Sequence, residues 1–177
     1  YVAVALGWIV LSAFGALPYA LSGCCGYVDA LFETVSGFTT TGASIFGAPA
    51  SLPRGIQLWR ALTQWLGGMG VLVLLLALMP KLGEGSVNLM KAESPGPISS
   101  KLLPRTNDTA KMLYSIYILL TAAETLALRA ARMPWFDAVT TALTTISTGG
   151  FSVRNTSIAE YQSDAITSVS YTHLRAH

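Results

Sequence analysis

Charge is what this sequence has least of. Lys, Arg, Asp and Glu make up 11% of its 177 residues, against about 25% in an ordinary soluble domain. With 52% hydrophobic residues, that deficit points to a membrane protein. The net charge of +2 offers no basic surface for nucleic acid. Histidine is equally scarce: His173 and His177, both near the end, are the only two. A Ser-His-Asp or Cys-His centre therefore has no base, and no HExxH, P-loop or GxGxxG pattern occurs. Neither an enzyme nor a bound cofactor is expected. The two cysteines, Cys24 and Cys25, are adjacent, which suits neither a disulfide nor a zinc site. They read as small apolar residues. No starting methionine or charged leader precedes the first apolar run, so the chain is expected to be truncated there.

What is present is apolar and organised. Tyr1 to Leu21 holds no charge, about the length a spanning helix needs, with Pro18 placed to kink its last turn. A shorter run, Tyr27 to Phe38, extends about 18 Å as a helix, too little to cross a bilayer core. It reads as re-entrant and leads into Thr39-Thr40-Thr41-Gly42-Ala43-Ser44, which is too rich in β-branched residues and glycine to stay helical. A second long run spans Ile56 to Met79. Trp59, Arg60, Gln64 and Trp65 crowd its start and read as interfacial anchors. Gly67, Gly68 and Gly70 read as close helix packing, with a gating hinge as the other reading. Residues 80–111 are polar and lysine-rich, which places them in the cytoplasm. A third run, Met112 to Leu128, is interrupted only by Glu124, expected to face protein or water rather than lipid.

The chain then repeats itself. An offset of 108 residues carries Asp29-Ala30 onto Asp137-Ala138, Thr40 onto Thr148, Gly42 onto Gly150 and Ser44 onto Ser152, with no gap between Tyr27 and Ser44. A re-entrant loop leaves backbone carbonyls that lipid cannot satisfy, so it belongs where it lines a cavity or an ion path. Carbonyls aimed at an axis replace the water around K⁺, and Gly42 is the residue of the first loop best able to take the positive φ that points successive carbonyls the same way. Asp29 and Asp137 read as first-turn acids that suit a helix N-terminus, or else as attractors of cations, a role Glu33 could share.

These residues resemble a known family. Phe32-Glu33-Thr34-Val35-Ser36-Gly37-Phe38-Thr39-Thr40-Thr41-Gly42-Ala43 is similar to the first pore loop of Trk-type potassium uptake proteins (the Trk/Ktr/HKT superfamily). Leu52-Pro53-Arg54-Gly55, Trp59-Arg60 and Gln64-Trp65-Leu66-Gly67-Gly68-Met69-Gly70 resemble the helix that follows, and Ser147-Thr148-Gly149-Gly150-Phe151-Ser152 the second loop. The resemblance extends to about Ile166. It implies an all-α membrane protein built from helix–pore loop–helix repeats, four around one pore, of which this chain carries a truncated set. It implies K⁺ held by backbone carbonyls of Thr39, Thr40, Thr41 and Gly42 and of Ser147, Thr148, Gly149 and Gly150. It also implies a homodimer, a cytoplasmic nucleotide-binding regulatory subunit, a gate in the third repeat, and a multi-pass place in the plasma (inner) membrane of a bacterium. The expected units are a first repeat over 1–79, a cytoplasmic linker over 80–110, a partial second repeat over 111–166 and a non-native tail over 167–177. Potassium uptake is the expected function. The alternatives are a sodium-dependent Ktr-type potassium uptake subunit and a non-conducting membrane scaffold.

Overall fold

The structure, a computed structural model, describes residues 2–70, 106–161, 163 and 166–170, and all regular structure among them is helical. The apolar start forms two helices rather than one: α1 (Val2–Gly15) and α2 (Leu17–Leu21), separated at Ala16. Pro18 lies in the first turn of α2 and has no N–H to continue the ladder of α1. Two carbonyls near the break find other donors. Ala13 accepts from the Tyr27 hydroxyl at 3.0 Å, and Gly15 from the Trp59 indole at 2.9 Å. Side chains that satisfy freed backbone make such breaks tolerable in lipid.

The short helices come next in each half. α3 (Tyr27–Phe38) packs on α1 and α2, and α6 (Trp135–Ile146) packs on α5 (Thr106–Ala130). Between them lies α4, helical over residues 54–70. Within α5, Lys111–Ala130 is the one described helix long and apolar enough to cross a membrane. The linker expected over 80–110 lies outside the described residues except for 106–110, which already belong to α5. The run beyond residue 70 and the tail beyond 170 also lie outside them.

Helix α5 ends on a Schellman turn. Met133 N–H bonds to Leu128 and Arg132 N–H to Arg129, with Arg132 left-handed at φ 70. Leu128 and Met133 are both fully buried, the apolar contact that usually accompanies this turn.

Each half has its own small core. Ala16, Tyr19, Ala30 and Ile56 form one, with Cys24 and Cys25 packed at its side as small apolar residues. Leu128, Met133, Ala138, Ala142 and Ile166 form the other. Outside the cores, α1 and α5 turn Leu6, Ile9, Phe14, Met112, Leu119 and Leu126 outward, the reverse of a water-soluble helix pair. Glu124 is fully buried, so the one acid of that run faces protein.

Candidate functional site

The repeat read from sequence is kept in the backbone. Helices α3 and α6 are both 12 residues long and begin and end at positions 108 apart. Both close on the same pair of backbone bonds. Thr40 N–H reaches Gly37 and Thr41 N–H reaches Ser36. Thr148 N–H reaches Thr145 and Gly149 N–H reaches Thr144. This is again a Schellman turn, but with threonine where glycine usually sits. Thr40 has φ 55 and Thr148 φ 53, and two residues on Gly42 and Gly150 have φ 76 and φ 81. A β-branched residue in the left-handed region is uncommon and costs roughly 1–2 kcal/mol. Paying that twice, in register, is the kind of strain that collects at functional sites. Sequence reasoning expected the freedom of Gly42 but not the strain at Thr40 and Thr148, because propensity argues against it.

Hydroxyls repeat as well. Thr39 Oγ1 donates to Val35 O at 2.7 Å, and its counterpart Ser147 Oγ to Leu143 O at 2.9 Å. Beyond the glycines, Ser44 Oγ accepts from Phe46 N and Ser152 Oγ from Arg154 N, both at 3.1 Å. The correspondence therefore runs to residue 154.

The two loops touch. A Cβ added at Gly42 would collide with the Gly149 carbonyl. They are bound together mainly by one face of α4, where Arg60, Thr63, Gln64 and Gly67 recur at helical spacing. Arg60, 2% exposed, donates to Glu33 at 2.8 Å, to Ser44 Oγ at 3.0 Å and to the Ser152 carbonyl at 3.1 Å. Its guanidinium also lies 4.3 Å from the Phe151 ring centroid. Gln64, fully buried, donates to the Gly149 carbonyl at 2.8 Å and accepts from Phe151 N–H at 3.1 Å. Gly67 admits the carbonyl of Phe38, the last residue of α3.

Two expectations are corrected here. Arg60 and Gln64 are not interfacial anchors. Arg60 and Gln64 are interior ties, Trp59 bonds Gly15, and Trp65 donates to Thr121 Oγ1 at 3.1 Å. The signal was present, since a charge and an amide inside an apolar run are expensive in lipid and turn inward. Glu33 does not attract cations at an open mouth. It is fully buried and accepts from Arg60, from Ser44 Oγ at 2.9 Å and from Ile45 N–H at 3.0 Å. The glycine reading holds: Gly68 and Gly70 closely approach Tyr117 and Trp8.

The paired aspartates part company. Asp29 is exposed in the first turn of α3. Asp137 is 6% exposed, and its Oδ2 accepts from Arg154 Nη2 at 2.9 Å, from Arg154 Nε at 3.1 Å and from the Tyr161 hydroxyl. Hydrogen bonding to Asp137 and Tyr161 holds the Arg154 guanidinium firmly protonated. Burial first, and the bond to Asp137 second, push the Tyr161 hydroxyl up to about 12. Neither aspartate makes a side-chain cap at its helix start: the N-cap positions are Gly26 and Pro134. Among the described residues no cluster of three His, Cys, Asp or Glu is placed to hold a metal. Backbone carbonyls and threonine or serine hydroxyls are the oxygens these loops present.

Comparison with known proteins gives the family. The TrkH family model, described as cation transport protein, matches residues 1–173, past the Ile166 limit of the resemblance. The Trk system potassium uptake protein TrkH of Halomonas elongata is 46% identical over 169 residues, 94% of this chain and 35% of that protein. TrkH of Escherichia coli K12 is 44% identical over 172 residues, 96% of this chain and 36% of that protein. The crystal structure of the potassium transporter TrkH from Vibrio parahaemolyticus superposes with a TM-score of 0.79 at 35% identity, covering 95% of this chain and 33% of that one. The chain thus spans about a third of the length of the curated relatives it matches. These relatives are transport proteins by name, and the chain belongs to the TrkH family of cation transport proteins.

Proposed function

We propose that the loops Thr39–Gly42 and Ser147–Gly150 form two walls of a potassium-selective filter in a bacterial uptake system. The observation that carries this reading is the in-register strain, with left-handed threonines at 40 and 148 and left-handed glycines at 42 and 150. Left-handed residues two apart, separated by Thr41 or Gly149 of the ordinary hand, turn successive peptides so that their carbonyls face one side. A row of such carbonyls is what replaces the hydration shell of K⁺. The short helices α3 and α6 aim their partly negative C-termini toward the same place, which favours a cation.

The relatives' names support potassium as the cargo. The remaining architecture is proposed with it. Residues 1–79 and 111–166 are two helix–loop repeats joined by a cytoplasmic linker at 80–110. The outward apolar faces of α1 and α5 meet lipid in the inner membrane. Further repeats complete the ring, and the full protein works as a homodimer with a cytoplasmic nucleotide-binding subunit. No cofactor is called for, and potassium enters as cargo.

The test is the K⁺/Na⁺ uptake ratio of the full-length protein at matched expression. Gly42→Ser is expected to lower the ratio, because a side chain at that φ turns its carbonyl or meets Gly149. Ala43→Ser already has a Cβ to build on and is expected to leave it near the parental value. A parental ratio in Gly42→Ser with a lowered one in Ala43→Ser would place the filter elsewhere.

A further inference from the structure

The second loop is held from behind by a side chain of the other repeat. Gln64 lies on α4, yet its amide closes on the backbone around Gly150 from both sides. Its Nε2 donates to Gly149 O at 2.8 Å and its Oε1 accepts from Phe151 N–H at 3.1 Å. The side chain is fully buried, so water does not compete for either bond. The fit leaves no slack, since a Cβ at Gly149 would overlap the amide itself. An amide is the side-chain group that meets one carbonyl and one N–H at once. A carboxylate lacks the donor, and an apolar side chain leaves both backbone groups unsatisfied in a buried place. Arg60, one turn earlier, adds a bond to the Ser152 carbonyl.

We propose that Gln64 is a positioning residue for ion selectivity, fixing the peptide planes on either side of Gly150 through this two-bond bracket. The proposal rests on the reading of Ser147–Gly150 as filter. Gly150 has open space where a side chain would be, so its own neighbours do not hold it in place, and its left-handed φ of 81 is set by what grips residues 149 and 151. Releasing the grip lets the Gly149 and Phe151 peptides rotate. Carbonyl spacing around the ion then widens, and the discrimination between K⁺ and the smaller Na⁺ falls with it.

The test measures K⁺ and Na⁺ uptake by the full-length protein in proteoliposomes for Gln64→Met, Gly150→Ser, the double variant and Gln57→Met. Gln57 is a buried glutamine on the same helix whose amide bonds Pro49 O at 2.9 Å rather than the backbone of Ser147–Phe151, and serves as control. Gln64→Met is expected to lower the K⁺/Na⁺ ratio roughly tenfold, the scale of losing one or two buried hydrogen bonds, with yield and elution volume unchanged. Gln57→Met is expected to keep the parental ratio. The double variant is expected to be no less selective than the worse single one, because both act through the same backbone. A parental ratio in Gln64→Met, beside a lowered one in Gly150→Ser, overturns the positioning role and leaves the filter reading standing. A parental ratio in Gly150→Ser overturns the filter reading and this inference together. Equal losses in Gln64→Met and Gln57→Met reduce the effect to general packing and overturn it too. Should Gln64→Met fail to accumulate, the isosteric Gln64→Glu is read by the same criteria. Failure of both makes Gln64 a folding residue, which also overturns the proposal.

Discussion

The two loops share a backbone and differ in how they are held. In the first, the restraint is local and ionic: Glu33 of α3 bonds Ser44 and Ile45 just past the glycine, and Arg60 neutralises it. In the second, position 141 is threonine where the first has Glu33, and the loop is held from outside its own repeat by Gln64 and Arg60. Burial follows the restraint. Thr39 and Thr41 are exposed, whereas Ser147 and Gly149, their counterparts under α4, are buried. One conformation is thus reached by two different sets of side chains that have Arg60 in common. The backbone geometry is what both sets preserve, and the means of preserving it are free to differ.

The largest expected effect separates the two ion pairs. Glu33→Ala leaves the Arg60 charge buried without its carboxylate, since the pair is 3% and 0% exposed. Unfolding of the full-length protein in detergent is expected to ease by about 3–5 kcal/mol. Arg154→Ala breaks a pair whose arginine is 38% exposed, and is expected to cost about 1 kcal/mol or less. Equal losses would erase the distinction between the two restraints.

A second measurement compares the glycines. Gly42→Ala and Gly150→Ala each force a side chain into a left-handed φ, at roughly 1–2 kcal/mol. Gly42→Ala also drives a methyl into Gly149 O, while Gly150→Ala meets nothing within 4 Å. Gly42→Ala is therefore expected to be worse by about 1–3 kcal/mol, the usual range for overpacking. The reverse order would mean that the loops do not touch there.

The smallest effect is a pH dependence read at Tyr161 in the second half. Burial and the bond to Asp137 push the Tyr161 hydroxyl up to about 12, against about 10 in an unfolded chain. The folded state holds this proton more tightly, so the stabilisation is complete below pH 10 and is lost as pH rises from about 10 through about 12. The stability difference between the parent and Tyr161→Phe is expected to shrink across that window. A difference that stays level through it contradicts the shift.

Much of this was legible in the residues. The 108-residue offset located both short helices to the residue, because matching apolar and Thr/Gly patterns are local and survive in one dimension. Gly42 announced its left-handed φ, because glycine is where such a φ costs least. What was not legible depends on contacts far along the chain. Arg60 and Gln64 looked like anchors because sequence shows which helix a residue is on, not which neighbour it meets. Asp29 and Asp137 are identical in sequence and helix position, yet only Asp137 has Arg154 and Tyr161 to receive it. The break at Ala16 followed from Pro18 in kind but came earlier than a kinked last turn implies.

The reach of α4 also bears on the order of folding. Gln64 meets residues 85 and 87 positions later, and Arg60 meets Ser152, 92 positions later. During synthesis α4 is complete well before those partners exist. Until the second loop arrives, the Gln64 amide and one Arg60 donor lack these bonds, in a place where missing bonds are costly. The first half is thus expected to be completed as a folding unit only when the second half packs on it. Contacts at such separation carry a closure cost that slows their formation, so the last structure to set is expected to be the junction between the loops.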